Sequence, residues 1–280
     1  MTSRAKTIQI FLPDGNPRGI KIADITSRSI FATLIPRIKL EDAQKVEEIS
    51  NVGIYLLIGE EEEGGSKVYI GEAEDCLKRI KQHNATKDFW QFAIAITSKS
   101  QQFTKSHVKF LEWYCYQEAK KSSRYEIENS TIPNKPHITK PVEADLLDYF
   151  ETMQILVSTL GYPIFDELRT SDKKDIIYCK GKTGSGEGEY TEDGLVVFKG
   201  SKCHASETKS APQWIISLRK KLLDKGILVK EDNVYIFSSD YKFKTPTGSA
   251  VVILGRNANG WTAWKYKNGK TLDDVIRKGV

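Results

Sequence analysis

Residues 52–84 are the stretch that most constrains how this chain folds. Two short segments in it alternate apolar and other side chains, and each joins a tyrosine to a glycine: Gly53-Ile54-Tyr55 and Tyr69-Ile70-Gly71. Alternation with a period of two predicts a pair of β-strands. Because side chains on a strand point to alternate faces, a hairpin in the right register places Tyr55 and Tyr69 on one common face.

The segments that follow are predicted to be a helix, a strand and a second helix. Residues 72–84 have helical periodicity, with Arg79 and His83 one turn apart. Residues 89–96 favour a buried strand, and residues 104–122 a helix with an apolar stripe. Glu112 lies within that stripe, where a carboxylate is costly unless it is paired, hydrogen-bonded or bound to a metal.

Each polar residue also has an ordinary structural explanation. Buried tyrosines are common, a helical arginine usually meets an acid, and a lone histidine more often fills space than reacts. Glu112 could pair with Lys109 on its own helix or with Arg79 across the core. The joint occurrence on one small unit is what favours a functional site.

In this order and spacing, the two tripeptides, Arg79, His83 and the helical Glu112 resemble the GIY-YIG nuclease family. The resemblance covers about Asn51 to Pro136. It implies an α/β (α+β) fold, with a small, mainly antiparallel three-stranded sheet flanked by helices. It also implies a divalent-metal-dependent endonuclease that hydrolyses phosphodiester bonds in DNA.

The family resemblance further implies roles for individual residues. Glu112 would hold one divalent ion, Mg²⁺ or Mn²⁺, with waters completing its coordination. Tyr55 would deprotonate or orient the attacking water, and Arg79 would stabilise developing charge. The remaining residues implied to orient water or phosphate, or to support the site, are Tyr69, His83 and Asn129, with Asn134 as the alternative to Asn129.

Two features depart from the family pattern. The turn between the tripeptides carries four successive acids, Glu60 to Glu63. Such a run would repel a phosphate backbone, so we expect it to point away from the site. Phe89 and Trp90 occupy the segment after the first helix, where the family often has a further polar residue or histidine.

The chain is predicted to contain more than one part. Residues 1–50 are expected to be a β-hairpin extension docked on a nuclease domain of residues 51–165, which includes a trailing amphipathic helix. A charged linker, residues 166–175, precedes a separate small α+β domain of residues 176–280. Within that domain, Thr247 to Lys265 is similar to a domain of unknown function that often follows GIY-YIG domains in bacterial proteins. The aromatic residues there are expected to be core rather than base-stacking: Trp261, Trp264 and Tyr266.

Composition limits the setting and the partners. No apolar run approaches the ~20 residues of a membrane helix, and four dispersed cysteines favour reduced thiols in a cytoplasm. A formal net charge of +5 agrees with a polyanionic partner, here DNA. The C-terminal domain is the predicted contact for a second copy or a protein partner. The rival hypotheses are a non-catalytic nucleic-acid-binding or scaffold protein on a nuclease-derived fold, and a protein–protein adaptor.

One apparent nucleotide-binding motif is rejected on spacing. Gly181-Lys182-Thr183 has the end of a phosphate-binding loop, but Ile176 stands where the motif needs its first glycine. The following glycine-rich residues 184–188 are expected to form a flexible loop.

Overall fold

A mixed sheet of seven strands organises the first part of the chain. The computed structural model describes residues 5–60, 66–167, 176–182, 184–192, 194–204 and 213–279. By internal contacts the chain divides into two compact units, Met1–Glu167 and Leu168–Val280. The acidic residues 61–63 and most of the predicted linker fall outside the described residues.

The first unit has the sheet order β1-β2-β3-β6-β4-β5-β7. Its strands are β1 Ile8–Phe11, β2 Lys21–Ile25, β3 Ile30–Pro36, β4 Gly53–Glu60, β5 Ser66–Ala73, β6 Phe92–Ser98 and β7 Glu126–Ile127. Every pairing is antiparallel except that of β7, which runs parallel to β5. The mixed α+β class with a mainly antiparallel sheet is thereby confirmed.

The sheet is wider than the three strands expected from the resemblance. Those strands, β4, β5 and β6, lie within it, and β3 pairs with β6 from Ile30↔Ser98 to Pro36↔Phe92. The predicted hairpin of β1 and β2 continues the sheet outward from β3. The N-terminal segment therefore extends the hydrogen-bonded sheet itself, because β6 offers it a free edge. Between β3 and β4, residues 42–50 form two short 3₁₀ turns, Asp42–Lys45 and Glu47–Ser50.

Three helices cover the two faces of this sheet: α1 Cys76–Asn84, α2 Lys105–Ser122 and α3 Lys140–Thr159. The apolar side of α1 packs with Tyr55 and Leu57 on one face. On the other face, α2 and α3 pack against Ile54 and Ile70. Adjacent residues of one strand thus enter different cores, as the period of two requires.

The second unit is a separate α+β domain with an eight-stranded sheet. Its strands are β8 Ile176–Lys180, β9 Ser185–Thr191, β10 Gly194–Val197, β11 Lys202–His204, β12 Leu228–Glu231, β13 Val234–Phe237, β14 Tyr241–Phe243 and β15 Trp264–Tyr266. Its helices are α4 Gln213–Asp224, α5 Pro246–Leu254 and the short α6 Gly260–Ala263. The path β12-β13-β11-β9-β10-β14 is joined by β8, which pairs with β9 and β15.

The glycine-rich residues 184–188 are a correction to the sequence analysis, because most of them form strand β9 rather than a flexible loop. A Cβ at Gly186 would overlap the Ile253 side chain and one at Gly188 the Val196 carbonyl oxygen, and each would also lie 3.3 Å from the Trp264 ring. The glycines leave room for that ring, which is fully buried and donates a 2.9 Å hydrogen bond from Nε1 to Ser249. The prediction that Trp264 belongs to the core is confirmed.

Across the described ranges, every helix is too short or too polar to span a membrane.

Candidate active site

The two tyrosines of the tripeptides lie on the same face of the sheet. Tyr55 is opposite Gly71 in the ladder, and Tyr69 is opposite Leu57, so the tyrosines are diagonal neighbours. Their ring centroids are 6.1 Å apart with planes at 27°. Tyr55 is 1 % exposed, whereas Tyr69 is only partly buried. One ring therefore forms the floor of the site and the other forms its rim.

Helix α1 brings His83 and Arg79 to these tyrosines. Asp75 caps the helix by accepting a 2.9 Å hydrogen bond from the Lys78 backbone N–H. One end of the His83 ring, Nε2, lies 2.8 Å from the Tyr55 hydroxyl oxygen. The His83 and Tyr69 ring centroids are 5.0 Å apart. Arg79, one turn before His83, also interacts with the Tyr55 hydroxyl.

Burial keeps both Tyr55 and His83 neutral. It raises the pKa of the Tyr55 phenol well above its usual value, the nearby Tyr69 adds to the rise, and the Arg79 guanidinium partly opposes it. Burial, together with the positive charges of Arg79 and Lys87, lowers the pKa of His83 to about 4. At neutral pH the pair is thus a phenol hydrogen-bonded to an uncharged imidazole.

Glycine is required at both ends of the hairpin for steric reasons. A Cβ at Gly71 would overlap the Tyr55 hydroxyl and lie 2.8 Å from Cε1 of that ring. A Cβ at Gly53 would overlap the carbonyl oxygen of Ile96 on the neighbouring strand β6. Glycine at position 71 lets the Tyr55 ring lie across β5. Glycine at position 53 lets strands β4 and β6 approach closely.

Asn129 holds the outer edge of β5 beside the site. Its Oδ1 accepts a 3.0 Å hydrogen bond from the Ile70 backbone N–H, and its Nδ2 donates a 2.7 Å bond to the Ile70 carbonyl oxygen. The side chain therefore continues the pairing after β7 ends. Asn134, the alternative, is exposed. The geometry of Asn129 fits the supporting role suggested by the resemblance.

Glu112 lies on the other side of the sheet from the tyrosines. It is on α2, which packs on the face that carries Ile54 and Ile70. Burial and the neighbouring Glu72 raise the pKa of Glu112 to about 7, while a backbone hydrogen bond from Glu72 and the charge of Lys109 oppose the rise. The suggested pairing of Glu112 with Arg79 is not among these influences.

The two halves meet at the end of β5. The Tyr55 hydroxyl lies against Gly71. The next residue of the strand, Glu72, is on the opposite face beside Glu112. Strand β7 pairs with β5 only at Lys67 and Val68, and Asn129 pairs at Ile70. Past Ile70, the part of the chain that the structure describes puts no strand on this edge of β5. The carboxylate and the tyrosine hydroxyl therefore approach the same edge from opposite faces.

Two residues near the site were missed from the sequence. The Nζ of Lys87 lies 4.5 Å from the centroid of the Tyr69 ring. The other missed residue is Glu72, beside Glu112. Arg79, His83 and Lys87 are spaced by four residues each, so helical periodicity continued past Asn84 could have found Lys87. Glu72 carried no signal, because the facing position on α2 is distant in sequence.

Comparison with known families agrees with this arrangement. Residues 51–136 match the family model of the GIY-YIG catalytic domain. Residues 177–276 match a domain of unknown function, DUF4357. The chain thus carries a GIY-YIG nuclease-family domain followed by a DUF4357 domain. No curated protein matches the chain. The same holds for solved structures, none of which matches.

The donor set fits a weakly held, hydrated cation. Within the described ranges, no three histidine, cysteine, aspartate or glutamate side chains converge to form a metal cage. Mg²⁺ commonly binds through one or two carboxylates and keeps several waters. Glu112 is a half-buried carboxylate, and the largest charged influence on its pKa comes from another acid, Glu72. A divalent cation would offset that negative charge.

Proposed function

We propose that this chain is a divalent-metal-dependent endonuclease that hydrolyses phosphodiester bonds in DNA. The observation that carries the proposal is the 2.8 Å contact between the Tyr55 hydroxyl and His83, with Arg79 beside it, in a GIY-YIG domain. Phosphodiester hydrolysis needs a group to handle the proton of water and cations around the phosphate.

The cations of the site are available to a phosphate. Arg79 hydrogen-bonds to the neutral Gln82 at 2.9 Å, and Lys87 lies over the Tyr69 ring. Within the described ranges, neither cation has a carboxylate at ion-pair distance. Two uncompensated positive charges beside the tyrosines form a surface for an anion. Losing one preorganised donor such as Arg79 typically costs about 3 kcal/mol of transition-state stabilisation.

The tyrosine–histidine pair orients the attacking water. With the imidazole proton on Nδ1, the His83 Nε2 accepts the hydrogen of the Tyr55 phenol. The phenol oxygen can then accept a hydrogen bond from the attacking water and orient it. A phenol with a raised pKa is a poor base by itself, so acidification of that water has to come from elsewhere.

Glu112 is the residue proposed to hold the metal. A bound divalent ion would acidify the attacking water and offset charge on the phosphate and the leaving oxygen. The chain's own contribution is a half-buried carboxylate beside Glu72, near the end of β5. In this proposal, residues 51–165 act as the nuclease domain, and residues 176–280 recognise DNA or a partner.

The test is nicking of supercoiled plasmid with Mg²⁺ or Mn²⁺. Native protein is expected to nick the plasmid. The nicking rate is expected to fall at least a hundredfold in each of the variants Tyr55→Phe, Arg79→Ala and Glu112→Ala. Lys81→Ala is the matched control, because Lys81 is on α1 but pairs with Glu41 at 3.4 Å. Equal nicking by native protein and Glu112→Ala would refute the site. Salt-dependent DNA retention without cleavage under any metal would establish the binding-protein alternative.

A further inference from the structure

We propose that Lys87 binds a phosphate of the substrate next to the tyrosines, and that Arg37 of the N-terminal segment positions it. This inference rests on the proposed function and names a contact beyond the site residues already discussed. It makes the N-terminal segment part of the substrate-binding apparatus.

Arg37 fastens the loop that follows α1. Its Nε donates a 2.8 Å hydrogen bond to Asn84 Oδ1, and its Nη2 donates a 3.1 Å bond to the Asn84 carbonyl oxygen. Its Nη1 donates 3.1 Å bonds to the carbonyl oxygens of Asp88 and Trp90. The guanidinium also stacks 4.7 Å from the centroid of the Trp90 ring. One side chain therefore fixes the loop at its start, middle and end.

The backbone of Arg37 adds to the same anchor. Its N–H donates a 2.8 Å hydrogen bond to the Gln91 carbonyl oxygen, just before β6. Arg37 directly follows β3, whose whole length pairs with β6. The loop is thus held by a residue whose own position is fixed by the sheet.

Lys87 sits at the middle of this fastened loop. Its backbone N–H donates a 2.9 Å hydrogen bond to the His83 carbonyl oxygen, which extends the direction of α1 by one turn. Its Nζ lies 4.5 Å from the Tyr69 ring centroid, a distance at which a cation is attracted by the ring face. Within the described ranges, Lys87 meets no carboxylate at ion-pair distance. The neighbouring Asp88 instead lies 3.6 Å from Arg37.

These contacts favour a phosphate as the ligand. Lys87 is a partly buried lysine over the Tyr69 ring, and within the described residues it has no carboxylate at ion-pair distance, so its ammonium is suited to an anion. A lysine ammonium acts as a point charge, so it serves a backbone phosphate without reading the base. Arg37 itself uses its donors on the loop, so its effect on the substrate passes through Lys87.

The test measures DNA binding rather than cleavage. The full-length Glu112→Gln protein in EDTA is titrated with a fluorescent DNA duplex between 50 and 200 mM salt. Binding weakens as salt rises, and loss of one phosphate contact makes the negative slope of log K against log salt shallower by about 0.9. Between 50 and 200 mM salt, the affinity of such a variant should therefore fall by a factor roughly 3.5-fold smaller than that of the parent protein. We expect this change for Lys87→Ala in that background and near-native behaviour for Lys87→Arg. Lys81→Ala, which loses a lysine already paired with Glu41, should leave the slope unchanged.

Arg37 is tested through its dependence on Lys87. Arg37→Ala should lower the slope as Lys87→Ala does, and the double variant should show no additional loss. Asn84→Ala removes only the 2.8 Å hydrogen bond from Arg37 Nε. This variant replaces Arg37→Ala in the titrations if Arg37→Ala unfolds below the assay temperature. Thermal unfolding of every variant accompanies the titrations.

Three results would overturn the inference. An unchanged slope for Lys87→Ala would mean that this lysine only packs on Tyr69. A further drop when Arg37→Ala is added to Lys87→Ala would mean that Arg37 contacts DNA directly. A native slope for both Arg37→Ala and Asn84→Ala would remove the positioning role. Failure of the native protein to nick DNA, with the Lys87 effect intact, would instead refute the proposed catalysis and leave the phosphate contact standing.

Discussion

Replacing Glu112 by glutamine should stabilise the metal-free protein at high pH. Burial beside Glu72 raises the pKa of Glu112 from its ordinary 4.5 to about 7. Between these values the native state binds more protons than the unfolded state, so the free energy of unfolding decreases as pH rises through this window. Below pH 4.5 the carboxyl is protonated in both states and the penalty is absent.

The size of the effect follows from the pKa shift. A shift from 4.5 to about 7 corresponds to at most about 3.4 kcal/mol. The carboxyl is only partly buried and solvent screens it, so about 1–2 kcal/mol is expected. Urea unfolding in EDTA at pH 4 and pH 8 measures the effect. The free energy of unfolding of Glu112→Gln should equal that of the native protein at pH 4 and exceed it by about 1–2 kcal/mol at pH 8.

Metal should remove most of the stability difference between native protein and Glu112→Gln at pH 8. Mg²⁺ or Mn²⁺ at ten times its dissociation constant would stabilise the native protein by about 1.4 kcal/mol and leave Glu112→Gln unchanged. The control is Glu118→Gln on the same helix, which loses a surface ion pair with Lys121 and should cost up to about 0.5 kcal/mol. A variant no more stable than native protein at pH 8, or one that metal stabilises as much, would refute the reasoning.

Three further changes test separate contacts. Gly71→Ala puts a methyl group against the Tyr55 ring and should cost about 1–3 kcal/mol in urea unfolding and abolish nicking. Adding Tyr55→Leu to the same chain should relieve the stability cost. If the cost persists in the double variant, the clash with Tyr55 is not its cause. Because the pKa of His83 is lowered from 6.5 to about 4, the native state binds fewer protons in that window, and stability falls as pH decreases through it. His83→Gln should remove about 1–2 kcal/mol of this acid sensitivity, and an unchanged pH profile would contradict it. Asn129→Ala loses both hydrogen bonds to Ile70, which should lower the free energy of unfolding by about 2–3 kcal/mol and reduce nicking more than DNA binding. Equal reductions in nicking and in DNA binding would argue against a role of Asn129 at the site.

Local periodicity was enough to predict the tyrosine half of the site. The period of two placed Tyr55 and Tyr69 on one face, and the period of the helix placed Arg79 with His83; the structure shows both arrangements. Local geometry likewise explains helix α5, whose caps Thr245 and Gly255 fit a helix despite the strand preference of its valines and isoleucine. In these cases the deciding contacts lie within a few residues, where geometry is nearly independent of the rest of the fold.

Long-range pairing was beyond the sequence. The pairing of β3 with β6 joins residues from 56 to 68 positions apart, and nothing in Ile30–Pro36 specifies which strand edge it meets. The same is true of Arg37, whose partners are in the loop before β6. The face on which Glu112 lies also depended on how α2 crosses the sheet. Registers of this kind are set by global packing rather than by local pattern.

The separation of Glu112 from the tyrosine face has an electrostatic consequence. On that face, the carboxylate would meet Arg79 and Lys87, and the resulting ion pairs would neutralise the groups that a metal and a phosphate require. On the opposite face, the largest charged influence on its pKa is Glu72, and the positive charge of Lys109 only partly opposes it. Within the described residues, the sheet thus keeps Arg79 and Lys87, which have no carboxylate at ion-pair distance, on the face opposite Glu112, and the Tyr55 hydroxyl over Gly71 is next in sequence to Glu72 beside Glu112. A metal-bound phosphodiester at the end of β5 would satisfy both the cations and the carboxylate at once, and this favours a catalytic centre over a structural ion-pair network.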